Sequence, residues 1–167
     1  GPLLVKNGKL FTDNKSLLGD YVSEEEIWAC TTCNACVQEC PVNINQPSII
    51  VDMRRYLVLE EGKAPGELKS VFSNIENNGA PWQYSSEDRL NWTKDLDFEI
   101  PVFAELPAGT KPEYLFWVGC AGAYDDRYKK VVRAFAAILN RLNVSYAVLG
   151  KEETCTGDPA RRAGNEM

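Results

Sequence analysis

Four cysteines crowded into eleven positions set the first limit on how this chain folds. They stand in Cys30-Thr31-Thr32-Cys33-Asn34-Ala35-Cys36-Val37-Gln38-Glu39-Cys40-Pro41, a C-x2-C-x2-C-x3-C-P run. A loop of this kind is organised by what its thiolates bind, because the binding energy of a metal group is also folding energy. The chain has six cysteines in all and no histidine. The lack of histidine excludes every Ser–His or Cys–His catalytic pair and every His-ligated metal within this chain. Six cysteines also fit a disulfide framework, but such scaffolds are short, loop-rich and secreted. Long helical patterns and the crowding of four cysteines favour a reducing cytoplasm with thiolates kept for metal.

Soft thiolates suit iron–sulfur clusters or zinc. Three thiolates two residues apart curl around one face of a cubane, each on a separate iron. This is the bacterial ferredoxin spacing, in which the fourth cysteine ligates the other cluster of a two-cluster protein. Structural zinc more often uses two cysteine pairs around a longer loop. Cys30, Cys33, Cys36 and Cys40 are therefore the candidate ligands of a [4Fe-4S] cluster. The chain holds no second C-x2-C-x2-C, so either all four cysteines hold one cluster or the chain is a piece of a longer protein. Its stop at Met167, inside an expected helix, favours the piece. The cluster is then expected in the intact protein. The segment alone is expected to lack a complete cubane, with its cysteine loop collapsed or mobile. Ile27, Trp28, Val37, Val42 and Ile44 are placed to shield a cluster from water, or simply to form a small core. Arg54 and Arg55 read as solvated helix residues rather than as counter-charges.

The 167 residues suffice for one domain or two small ones, and 44% hydrophobic with 25% charged residues is a globular composition. Eighteen basic against twenty-four acidic residues leave a net charge of −6. That balance argues against nucleic acid and anionic membrane faces, which are held by Lys and Arg patches. The longest nearly apolar stretch, Tyr114 to Tyr124, is too short to cross a bilayer, and no secretory signal is present. Gly1-Pro2 reads equally as a protease-site remnant and as native sequence. Ser23 and Glu26 form a capping box ahead of a helix that delivers Cys30. A second helix is expected from about Ser48 to Glu61, stopped at Gly62, and a third after Pro65. Residues 1–78 thus read as a small helical domain. Residues 79–112 are punctuated by Pro81, Pro101, Pro107, Gly109 and Pro112 and read as a linker, with a short helix near Ser85 to Leu96. Residues 113–167 change period. Tyr114–Val118 reads as a strand buried on both faces, and Tyr128 to Leu142 as a helix. Tyr146–Leu149 reads as a second strand, giving a parallel β-α-β unit.

Cys120 follows the first of these strands and Cys155 the second, so the unit should bring both to one sheet edge. The same stretches resemble a known family. Trp28 to Pro41, Ile50-Val-Asp-Met-Arg-Arg-Tyr56 and Glu153-Thr-Cys-Thr-Gly-Asp-Pro-Ala-Arg-Arg162 are similar to iron–sulfur oxidoreductases of the heterodisulfide-reductase type. Relatives of that family include iron–sulfur subunits of glycolate and lactate oxidases. The resemblance implies two ferredoxin-type motifs followed by cysteine-rich "CCG" domains, of which this chain carries the second motif and the front half of the first CCG domain. It matches Cys120 to that domain's opening cysteine and Cys155 to the first of its cysteine pair. The second of the pair is Thr156 here, and the closing C-x-x-C and the first ferredoxin motif are absent.

The fold class expected is therefore α plus α/β, a small helical ferredoxin-like domain followed by an incomplete parallel-sheet domain. The function expected is electron transfer through the cluster within a multi-subunit oxidoreductase, the segment itself being electron-transferring rather than catalytic. The resemblance implies a flavin-containing dehydrogenase subunit or another redox partner. It implies a cytoplasmic setting, with any membrane association made through parts outside this chain. Two alternatives stand beside it: a zinc-stabilised interaction module without redox role, and a disulfide-reducing segment that uses Cys120 and Cys155 as a cofactor-binding or dithiol site.

Overall fold

The computed structural model describes residues 4–166, so Gly1-Pro2 lies outside the described residues. The chain forms two compact units, one of residues 4–65 together with 159–166, the other Gly66–Asp158.

The first unit opens with a hairpin, β1 (Leu4–Lys6) and β2 (Lys9–Phe11), paired antiparallel with Val5 opposite Leu10. Its turn residues Asn7 and Gly8 both have positive φ, the conformation that an Asn-Gly pair adopts most readily. Helix α1 (Glu24–Ala29) starts at Ser23, whose hydroxyl accepts from the Glu26 N–H while the Glu26 carboxylate accepts from the Ser23 N–H. Glu24, Glu25 and Glu26 all face the positive helix end. A single turn, α2 (Ala35–Gln38), lies within the cysteine run. Helix α3 (Gln46–Arg55) is capped by the Asn45 side chain, which accepts from the Ser48 N–H, and has Pro47 in its first turn. It runs on through a wider turn to Glu60, and Gly62 at φ +64° ends it. Ile27 and Leu57, both 1% exposed, are the centre of this unit's core. Of the five apolar residues placed to shield a cluster, only Ile27 is buried. Val42 and Ile44 stand open to solvent, because they follow Pro41 on the outer side of the loop.

The second unit begins with α4 (Gly66–Asn78) and a 3-10 helix, Ser86–Asp95, capped by Ser85. Strand β3 (Tyr114–Leu115), helices α5 (Gly119–Tyr124) and α6 (Asp126–Arg141), and strand β4 (Tyr146–Ala147) follow, before α7 (Asp158–Arg162). β3 and β4 pair in parallel, with Tyr114 beside Tyr146 and Leu115 beside Ala147. A parallel bridge of Val102 to Val148 extends the sheet on the other side. The core joins Trp92, Val132, Ala136, Tyr146 and Val148, with Leu90, Val102 and Phe116 packed around them.

Several placements differ from those the sequence leads one to expect. The stretch 79–112 is no free linker: Ala80 and Trp92 are fully buried, and Val102 joins the sheet. Prolines mark turns, but Trp92 has the largest apolar surface nearby and is drawn into the core. Helix α4 groups with this second unit, and residues 159–166 return to the first. Strand β3 is short and open, with Tyr114 56% and Leu115 51% exposed, rather than buried on both faces. On α6 the buried stripe is Val132 and Ala136, with half-buried Leu139 beside them. Tyr128, Val131, Phe135, Ile138 and Leu142 lie on a second stripe that faces solvent.

Candidate metal centre

The cysteine run leaves α1 at Cys30 in extended backbone and enters three tight bends. Thr32, Asn34 and Asn43 all have positive φ, at 55°, 64° and 54°. Asparagine tolerates that region, whereas β-branched Thr32 rarely does. Thr32 is held there by its neighbours: its hydroxyl donates to the Thr31 carbonyl at 2.7 Å and accepts from Arg162 Nη1 at 2.7 Å. These bends turn main-chain N–H groups onto sulfur. The Thr32 N–H donates to Cys30 Sγ at 3.4 Å, and the Ile44 N–H to Cys40 Sγ at 3.4 Å.

Donors aimed at sulfur favour the thiolate. The Ala35 N–H, with help from the Thr31 side chain, holds the Cys33 thiol below its usual range. The Ile44 and Val42 N–H groups do the same for Cys40. Cys33 and Cys36 are exposed, Cys30 and Cys40 half-buried, and none is in a disulfide. Among the described residues, no three Cys, Asp or Glu side chains converge as a ready-made metal site. The donor set nonetheless fits an iron–sulfur group in its chemistry: four soft thiols, two of them biased toward the charged form that metals bind, all within one loop. Cys30, Cys33, Cys36 and Cys40 would hold it.

Beneath this loop lies a residue the sequence reading set aside. Arg54 on α3 is 6% exposed, not solvated. Its Nε and Nη2 donate to the Ile27 carbonyl at 3.1 and 2.7 Å, Nη2 also to the Cys30 carbonyl at 2.6 Å, and Nη1 to the Arg162 carbonyl at 2.9 Å. The guanidinium lies 5.2 Å from the centre of the Trp28 ring. Burial pushes the Arg54 guanidinium down, and the charge on Cys30 pulls it back up. Arg55 points elsewhere and pairs with Asp52 and Glu166, each at 2.5 Å. An Arg-Arg pair on a helix gives no local sign of which one turns inward, so only the three-dimensional packing separates them.

A second group of side chains gathers in the other unit. Cys120 in the first turn of α5 and Cys155 before α7 lie near each other, close enough for the Cys155 thiol to act on that of Cys120. The Cys155 N–H donates to the Gly79 carbonyl at 2.7 Å, which fixes its approach. Arg89, from the stretch expected as linker, donates to the same Gly79 carbonyl at 2.9 Å and to Cys120 Sγ at 3.5 Å. It also pairs with Glu153 at 3.2 Å, both side chains being 2% exposed. Glu153 accepts in turn from the N–H groups of Val118 at 2.9 Å and Gly119 at 2.7 Å. Burial pushes the Glu153 carboxyl up, against the pull of those two N–H groups and Arg89. Burial also pushes the Cys120 thiol up; Arg89 draws it down, and Cys155 opposes that. Thr156 brings no third thiol to the pair. Arg89 lies in a stretch that carries no motif, 64 residues from its partner Glu153, so no local pattern marks it.

Two family models cover the stretches that carry these cysteines. Residues 5–44 match the 4Fe-4S dicluster domain family, and residues 114–167 the cysteine-rich domain family CCG. The chain is 47% identical to the probable iron-sulfur-binding oxidoreductase FadF of Bacillus subtilis over 92% of its own length and 22% of that protein's. It is 44% identical to the EtfAB:quinone oxidoreductase of Syntrophomonas wolfei, over 91% of this chain and 21% of the relative. It is 28% identical to one subunit of the dihydromethanophenazine:CoB--CoM heterodisulfide reductase of Methanosarcina mazei, over 84% of this chain and 32% of the relative. The chain thus spans between a fifth and a third of the length of these relatives. No solved structure matches it.

Proposed function

We propose that this chain, which carries the paired 4Fe-4S and cysteine-rich domains of the iron–sulfur oxidoreductases of the heterodisulfide-reductase type, is an electron-transferring segment of a larger oxidoreductase. The observation that carries the reading is the thiol run Cys30–Cys40, bent so that main-chain N–H groups point at its sulfurs. When bound there, an iron–sulfur cluster supplies single-electron chemistry. The chain's own residues supply four soft ligands, donors to the sulfurs of Cys30, Cys33 and Cys40, and a buried Arg54 that fixes the Cys30 carbonyl. On this reading the first unit is a ferredoxin-like domain and the second the front of an α/β cysteine-rich domain.

The donor would be a flavin-containing dehydrogenase subunit or another redox partner. The acceptor would be a quinone, by analogy with the relative whose name states one. The setting would be cytoplasmic, with membrane association through other parts of the protein. Among the described residues no helix is long and apolar enough to cross a membrane.

The test is replacement of each of Cys30, Cys33 and Cys36 by Ser. A hard oxygen in place of soft sulfur should remove or badly weaken the cluster in all three variants. Wild-type iron content and visible spectrum in all three would overturn the assignment, and colourless protein carrying zinc would favour the interaction module.

The meeting of Cys120 and Cys155 favours a second activity for the other unit. Two neighbouring thiols can give two electrons and two protons to a substrate disulfide, forming their own disulfide as it opens to two thiols. Thiol counting under denaturing conditions, before and after treatment with a small organic disulfide, tests it. Loss of two thiols with closure of Cys120 to Cys155 supports the activity, and six unreacted thiols refute it.

A further inference from the structure

Arg54 presents an unusual charge balance. It is 6% exposed, and all four of its hydrogen bonds within the chain end on main-chain carbonyls, those of Ile27, Cys30 and Arg162. Carbonyls satisfy its donors but carry no net charge. Among the described residues Arg54 enters no ion pair, in contrast to Arg55 beside it and Arg89 in the other unit. A buried cation without a counter-ion is costly, and such charges are normally paired. Asp52 and Glu166 hold Arg55 instead, and Glu26 closes the capping box of α1. The side of the guanidinium that meets the loop reaches Cys30, to whose carbonyl Nη2 donates at 2.6 Å.

We propose that Arg54 is the buried counter-charge and positioning residue of the metal centre formed by Cys30, Cys33, Cys36 and Cys40. A set of four thiolates around an iron–sulfur core is anionic, and one electron added to it makes it more so. A fixed cation beneath Cys30 stabilises the reduced form over the oxidised form, and low exposure keeps that field from being screened. The same guanidinium ties the end of α1 to the loop. One planar fork spans the Ile27 and Cys30 carbonyls, which a single ammonium cannot do in the same way. Arg162 completes the clamp from the far end of the chain: its carbonyl accepts from Arg54, and its own guanidinium holds the Thr32 hydroxyl. Gly164 makes the close approach possible, because a Cβ there would stand 2.3 Å from the Arg55 main-chain nitrogen.

This inference rests on the iron–sulfur reading above, and the experiment separates the two. Wild-type, R54Q, R54K and R55Q proteins are loaded with iron and sulfide without oxygen, and each midpoint potential is measured by redox titration followed by electron paramagnetic resonance. R54Q should move the ratio of reduced to oxidised centre at fixed potential at least tenfold toward oxidised, about 59 mV for a one-electron couple. R54K keeps the charge, so its ratio should stay within about threefold of wild type. It loses the fork, however, so iron should leave it faster on chelator challenge. R55Q should match wild type in both. Wild-type potential in R54Q, or an equal shift in R55Q, overturns the inference. Should R54Q hold no iron, R54K decides: a retained potential with faster iron loss supports the proposal, and a tenfold shift or wild-type iron loss refutes it. Failure of the wild-type chain to take up any iron–sulfur group would instead sink the earlier reading.

Discussion

Replacement of Arg89 by Met probes the buried charges of the second unit. Arg89 and Glu153 face each other at 3.2 Å with both side chains 2% exposed. Removing the guanidinium leaves a carboxylate in the interior, held only by the Val118 and Gly119 N–H groups. Breaking a buried pair from one side costs about 3–5 kcal/mol. A unit of about ninety residues has stability on the order of 10 kcal/mol, so the loss is a third to a half of the total. At about 4–8 °C per kcal/mol, Tm of this unit should fall by more than about 12 °C. The pH dependence identifies the cause. Burial already raises the Glu153 carboxyl above its usual 4.5, so the fold prefers the protonated form. That preference stabilises the fold below pH 4.5 and is lost as pH rises through the raised folded value. Without Arg89 the carboxyl rises further, so the deficit of R89M should be largest at pH 7 and shrink toward pH 4.5. Urea unfolding of the full chain at both pH values, with hydrogen exchange at Val118 and Gly119, measures it. A loss below about 1 kcal/mol, or one equal at both pH values, would refute the reasoning.

Three smaller predictions concern packing. A Cβ on Gly122 would stand 2.6 Å from Val132 Cγ2 and 3.0 Å from Val118 Cγ1, so Gly122→Ala should destabilise by about 1–3 kcal/mol in urea unfolding. The buried Tyr146 hydroxyl has no partner among the described residues, so Tyr146→Phe should raise stability by about 1 kcal/mol. Gly164→Ala, at φ +78° against the main chain of Arg54 and Arg55, should free residues 159–166 from the first unit. Faster hydrogen exchange at Ala163 to Glu166 would report that release, and unchanged exchange would contradict it.

What could be read from the sequence was what neighbouring residues decide among themselves. The Ser23–Glu26 box, the stop at Gly62, the span of α6 and the ligand run all depend on spacings of a few residues. The meeting of Cys120 and Cys155 was legible through topology, since a strand, a helix and a parallel strand leave few paths for the chain. Burial of Arg54 and Arg89 was not legible, because each is fixed by carbonyls or carboxylates distant in sequence, Arg162 for one and Glu153 for the other. Trp92 was hidden by its setting, as the prolines around it signal turns whether or not the stretch between them is buried. On α6 the sequence showed apolar residues on two stripes, and only packing chose Val132 and Ala136 over Phe135 and Ile138.

The most direct test of the central claim is anaerobic loading of the wild-type chain with iron and sulfide, followed by metal and sulfide analysis and paramagnetic resonance before and after reduction. With Cys30, Cys33, Cys36 and Cys40 all serving one cluster, and so against the expectation that the segment alone lacks a complete cubane, the account predicts bound iron and acid-labile sulfide in equal amounts and a paramagnetic signal that one electron per cluster switches. Colourless protein that takes up zinc alone, with no sulfide and no signal after reduction, would contradict it.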